Sequence, residues 1–304
     1  MADPAEAPPQ PPLWTWAAAA GVAAAILAGL VLLDRALAPG QRAASFNVAR
    51  LADATEGPRT IVIIGTSKTR CAIETDPVFT SRLRRLGADL RLVRVVQDGA
   101  AAEDLPEVFD AVVRLKPRLV LLETDMMVYE TFVFRGDMPA RPGWRQSVRN
   151  TLRGVPRLDR RGDDNRADGF DRACDYGTSR IVDMDAYVAK RMRILALRTA
   201  SSAADRAPYL AFLRTLRAQG TETALLRLPP RPDAAGQLPA KLLRDANAVR
   251  ATLTRDEALA ELRVAAPVTP ADYHDAGHMT AEGRRRTSAW LAAHLATRLG
   301  QPGA

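Results

Sequence analysis

From about residue 58 the chain alternates between short, mostly apolar runs and longer windows whose apolar residues recur at helical spacing. Thr60–Ile64, Leu90–Val96 and Leu119–Leu122 are runs of the first kind, with Thr223–Leu228 and Leu262–Val264 further on. A strand that is apolar at successive positions has no polar face to give to water, so it belongs in a sheet covered on both sides. Between the runs, Leu105, Val108, Phe109, Val112 and Val113 fall on one helical face. Val78–Leu86 follows Asp76-Pro77, which reads as an N-cap with proline at the first helical position. Met184–Leu197 and Pro208–Gln219 read as helices before the fourth strand, and Thr280 caps a last amphipathic helix ending at Leu299. Strands alternating with helices predict a doubly wound parallel sheet, a three-layer α/β/α fold of flavodoxin type, over residues 58–300. Residues 126–200 interrupt the rhythm. Within them Arg135–Asp175 is rich in Arg, Asp, Gly and Pro without periodicity, and reads as a long loop or lid inserted into the fold.

The amino-terminal pattern is different. Residues 1–12 are Pro-rich and acidic, the composition of a disordered tail. Leu13 to Leu33 then carries no charge, and as a helix it would be about 31 Å long, enough to cross the hydrocarbon core. Trp14 and Trp16 at one edge suit an interfacial belt. An uncleaved transmembrane anchor over 13–33, followed by a linker over 34–57, is the expected arrangement. The alternative is a cleaved signal peptide, because Ala36-Leu37-Ala38 has the small-x-small pattern of a cleavage site. Arg35, Arg42 and Arg50 follow the span, and the positive-inside rule taken alone would put the large domain in the cytoplasm.

Composition narrows the function little. The chain has 304 residues, 47% hydrophobic and 26% charged, values ordinary for a globular protein. Its net charge of +8 is almost all arginine, the lysines being Lys68, Lys116, Lys190 and Lys241. A basic surface favours anionic polymers or headgroups. No basic stripe interleaved with aromatics points to nucleic acid, and none is expected as a partner. Two cysteines, Cys71 and Cys174, fit either one disulfide or two small buried hydrophobes.

The candidate chemistry lies at the two ends of the body. Ile61-Val62-Ile63-Ile64-Gly65-Thr66-Ser67 is a strand running into a turn that presents a serine. Asp275-Ala276-Gly277-His278 offers a histidine with a carboxylate three residues before it. A nucleophile, a base and a group that orients the base are what acyl transfer through a covalent intermediate requires. The competing reading of His274, His278 and Asp275 is a zinc site, but i,i+4 ligands need a helix, and Gly277 with the cap at Thr280 places them in the loop before one. No metal and no cofactor is expected.

These residues resemble the SGNH/GDSL hydrolase superfamily, and more loosely its membrane-anchored members associated with bacterial cell-surface polysaccharide acylation. The likeness covers residues 58–299. In Ile63-Ile64-Gly65-Thr66-Ser67-Lys68-Thr69-Arg70, Ser67 takes the nucleophile position and Thr66 replaces the usual Asp. Val96-Gln97-Asp98-Gly99 corresponds to the second block, with the Gly99 N–H as an oxyanion donor. Tyr273 to Gly283 is the strongest match and carries Asp275 and His278. The third block departs: Leu122-Glu123-Thr124-Asp125 puts Asp125 where the family has a donor Asn, so that either Asp125 is protonated, or another group such as Thr124 Oγ donates, or activity is weak or lost. The resemblance implies a serine esterase or O-acyltransferase acting on a glycan or other acylated cell-surface polymer. It also implies an inner-membrane protein with its main domain in the periplasm, and a membrane-bound acyltransferase or polysaccharide synthase as partner. A Cys71–Cys174 bridge would then pin the insertion over the site. The substitution at Asp125 motivates the alternative, a catalytically weak or inactive glycan-binding or scaffold subunit.

Overall fold

The computed structural model describes residues 12–36, 47–54, 57, 59–96, 102, 105–129, 199–234 and 238–300. The tail before residue 12, the helix expected at Met184–Leu197 and all of the insertion from 130 to 198 lie outside the described residues. Helix α1, Leu13–Ala36, belongs to one compact unit, and the α/β body belongs to another. The side chains of Leu13, Leu27 and residues 30–36 of α1 are also outside the description. Among the described residues no helix is long and apolar enough to cross a membrane.

The body follows the order β1 (Thr60–Gly65), α2 (Ser67–Ala72), α3 (Asp76–Arg85), β2 (Arg91–Val96), α4 (Pro106–Leu115), β3 (Leu119–Glu123) and α5 (Thr124–Val128). It continues with α6 (Ala203–Ala218), β4 (Glu222–Arg227), α7 (Ala240–Arg255), β5 (Ala260–Arg263) and α8 (Ala281–Leu299). The five strands are parallel and stand in the order β2-β1-β3-β4-β5. Ile64 pairs with Val95 on one side and Leu122 on the other, which brings the carboxyl ends of β1 and β3 together. In this order the winding of the sheet switches sides between β1 and β3, the place where doubly wound sheets hold ligands.

Successive strand residues face opposite sides, and each side has its own core. Val62, Ile64, Val93, Val95, Val120, Leu122 and Leu225 pack with Val108, Val112, Phe212 and Leu213 of α4 and α6. Ile61, Ile63, Leu92, Leu119, Leu121 and Leu226 pack with Phe79, Leu83, Leu291 and Leu295 of α3 and α8. Every residue of β1 and β3 is buried, the reason Ile61–Ile64 and Leu119–Leu122 are apolar throughout. Each such side chain contributes about 1.5–3 kcal/mol on leaving water.

Several boundaries differ from expectation for local reasons. The N-cap of α3 is Thr75, whose hydroxyl accepts from Val78 N, and Asp76 is freed for a different task. Helix α6 begins before Pro208, because Ser202 and Asp205 form a reciprocal capping box. Helix α7 has no counterpart in the apolar pattern, since only Leu242, Ala246 and Leu253 of it are buried. Residues 47–52, expected within the linker, are helical and pack Leu51 into the core, with Asn47 Nδ2 donating to Val96 O.

Asp76 joins α3 to β2. Arg94, in β2, is 1% exposed, and its Nε donates to Asp76 Oδ1 at 3.0 Å while Nη1 donates to Ile73 O at 2.6 Å. Arg50 also pairs with Asp76 and donates to Arg94 O at 2.6 Å. A buried guanidinium stripped of its carboxylate is costly. Asp76→Ala is therefore expected to lower the unfolding free energy by about 3 kcal/mol in a urea titration. A loss below about 1 kcal/mol would place the pair among weak surface ion pairs instead.

Candidate active site

Strand β1 ends at Gly65, and the chain turns at once into α2. No side chain fits at Gly65: a Cβ there would lie 2.0 Å from Thr69 Oγ1 and 2.7 Å from Glu123 Oε2. Thr66 caps α2, its hydroxyl accepting from Lys68 N at 3.3 Å. Ser67 is the first helical residue, set at the carboxyl edge of the sheet beside β3.

The residue beneath this turn is one that the sequence pattern did not single out. Glu123, the last residue of β3, is buried and accepts from Thr66 N (2.7 Å), Thr66 Oγ1 (2.9 Å) and Thr69 Oγ1 (2.7 Å). Burial pushes its pKa up, as does the nearby charge of Asp125. The charge of Lys68 and the donors on Thr66 and Thr69 oppose that rise. An acidic residue closing an otherwise apolar strand is the signal that could have found it.

The second part comes from the loop before α8. Tyr273 bridges Met279, and His274 N donates to His278 O at 2.9 Å, closing a tight loop over residues 274–278. Within it Asp275 Oδ1 accepts from Gly277 N and His278 N, each at 2.8 Å, and Oδ2 meets His278 Nδ1 at 2.7 Å. Gly283 lets α8 press against this loop, because a Cβ there would lie 2.3 Å from Asp272 O. On the far side of the ring, His278 Nε2 lies 2.9 Å from Ser67 Oγ. Ser67 thus forms one line with two residues more than two hundred positions further on, and all three are partly exposed.

The tautomer follows from the partners. An ionised carboxylate only accepts, so Nδ1 carries the proton and Nε2 presents its lone pair to the serine hydroxyl. Burial raises the pKa of Asp275, but the hydrogen bond and charge of His278, with the N–H groups of Gly277 and His278, outweigh it and hold the carboxyl down to about 2. Asp275 is therefore ionised across the whole range in which an imidazole titrates.

The other predicted residues are placed as follows. Asp125 follows β3 and pairs with Lys68, Nζ to Oδ2 at 2.6 Å. Thr124 is buried, and among the described residues its Oγ1 has no partner. Gly99 lies outside the described residues. Cys71 is wholly buried and disulfide-bonded, which sets aside its reading as a free buried thiol; Cys174 lies outside the described residues. Among the described residues no group of three or more His, Cys, Asp or Glu side chains is placed to hold a metal ion.

Because the folded pKa of Asp275 lies below the ordinary 3.8, its ionised form stabilises the fold above that value. The contribution drains away as pH falls toward about 2. Asp275→Asn is expected to cost about 2 kcal/mol at pH 7 and much less at pH 2.5, read from unfolding midpoints at the two pH values. An equal gap at both would mean that the carboxylate charge contributes nothing.

No family model and no curated protein matches the chain. Among solved structures it is similar to a proposed acylhydrolase from Bacteroides fragilis, at 13% identity over 85% of this chain and 96% of that one, with a TM-score of 0.41. It is also similar to an acetyl xylan esterase (13% identity, 78% and 99% covered, TM-score 0.42). A third is a proposed lipolytic protein of the G-D-S-L family from Desulfitobacterium hafniense (14% identity, 79% and 99% covered, TM-score 0.39).

Proposed function

We propose that this chain is a serine esterase or O-acyltransferase of SGNH type acting on a cell-surface polysaccharide. The observation that carries the reading is the line from Asp275 through His278 to Ser67, with contacts of 2.7 and 2.9 Å. His278 Nε2 takes the proton of Ser67 Oγ as the oxygen attacks an ester carbonyl. The imidazolium then protonates the departing alkoxide, and an acyl-serine remains. Water, or a sugar hydroxyl, takes the acyl group in the reverse sequence. A non-catalytic binding subunit would have no use for a serine held within hydrogen-bonding reach of an oriented base, so the geometry favours catalysis over that alternative.

The remaining parts of the reading rest on the sequence. The uncharged stretch from Leu13 to Leu33 would hold the protein in the inner membrane, with the body in the periplasm beside its polymer. A basic chain suits an anionic or extended glycan. One span cannot form a conduit for an acyl donor made in the cytoplasm, so transfer would need a separate membrane acyltransferase.

The full chain, purified in detergent, is expected to hydrolyse p-nitrophenyl acetate. Ser67→Ala or His278→Ala should lower kcat by at least about 10³-fold. Equal rates in wild type and both variants would exclude the serine mechanism.

A further inference from the structure

Acyl transfer needs donors aimed at the oxygen on which negative charge develops. The resemblance to the SGNH/GDSL hydrolases implies a side-chain amide after β3; here Asp125 stands there, and an ionised carboxylate donates nothing. Its partner supplies what it lacks. Lys68, the residue next after the nucleophile, places Nζ 2.6 Å from Asp125 Oδ2. The lysine stem lies against Gly277, where a Cβ would stand 3.0 Å from Lys68 Cε and 3.6 Å from Cδ. Gly277 sits between Asp275 and His278, so the stem passes beside the base while the ammonium is carried to the end of β3. Both charged groups remain accessible, at 36% and 31% exposure. Thr124, by contrast, is 1% exposed, with Oγ1 shut off from solvent beneath the site.

We propose that Lys68, oriented by Asp125, is the side-chain donor to the oxyanion, in place of the neutral amide. The assignment rests on the serine reading above. An ammonium has three N–H donors, so an anchoring bond to Asp125 and a bond to an oxyanion can coexist. The step balances without a proton from lysine. The Ser67 Oγ–C bond forms, the hydroxyl proton passes to His278 Nε2, and the carbonyl π pair becomes the oxyanion that Lys68 holds. Collapse re-forms the carbonyl and breaks the bond to the leaving alkoxide, which takes the proton from His278. Asp125 is thereby a positioning residue. It fixes the ammonium and keeps the site near neutrality until charge develops.

Steady-state hydrolysis of p-nitrophenyl acetate by the full chain tests this with wild type, Ser67→Ala, Lys68→Met and the double variant Lys68→Met/Asp125→Asn. Thermal unfolding of each checks that the fold is kept. Lys68→Met is expected to lower kcat by about 10²–10³-fold with little change in KM. Adding Asp125→Asn should recover at least about tenfold of that loss, because the amide then donates from the same place. A Lys68→Met variant with wild-type kcat, a loss confined to KM, or a loss that Asp125→Asn deepens would overturn the donor assignment while leaving the serine mechanism standing. A wild type no faster than Ser67→Ala would remove both.

Discussion

Burying a carboxylate is costly unless donors replace the water it gives up, and Glu123 meets that condition with three. Those donors are Thr66 N, Thr66 Oγ1 and Thr69 Oγ1, all from the turn and first helix after β1. The end of β3 is thereby bound to the turn that carries Ser67. The parallel register sets the two strands side by side, but it does not decide how the chain leaves them. Glu123 decides that, and Gly65 makes room for it. Every other part of the site is positioned against this junction. Lys68 follows it in α2, Asp125 stands in the first turn of α5 just beyond β3, and His278 reaches Ser67 from the loop before α8.

The base is held by a different device. Asp275 spends one oxygen on two backbone N–H groups of its own loop and the other on the imidazole. The loop and the ring are thus ordered by one side chain, and the tautomer is chosen by the same contact. Glycine at 277 and 283 permits the close approaches of the lysine stem and of Asp272. Glu123 and Asp125 both stand where β3 passes into α5, the first bound to Thr66 and Thr69 and the second to Lys68. The donor role proposed for Lys68 builds on that pairing.

Much of this was legible in the residues, and the exceptions have physical causes. Fully apolar runs such as Ile61–Ile64 and Leu119–Leu122 announced a sheet covered on both faces, because no other environment suits them. Asp275-x-x-His278 before a capped helix announced the pairing of that histidine with its carboxylate. Helix α7 escaped because three buried residues in sixteen make too thin a stripe. Asp76 was read as a cap because it precedes proline, whereas its task is to neutralise Arg94, which only the packing of β2 against α3 reveals. Glu123 and Lys68 escaped for a related reason. Each is one charged residue whose meaning depends on a partner brought by the fold from a distant part of the chain, and motif spacing does not record such partners.

The central claim is that His278, oriented by Asp275, makes Ser67 a nucleophile. Treating the full chain with a fluorophosphonate and mapping the adduct by peptide mass spectrometry addresses it directly. The account predicts a single phosphonylated residue, Ser67, with modification abolished in His278→Ala. An unmodified Ser67 in the wild type, or equal modification with and without His278, would contradict it.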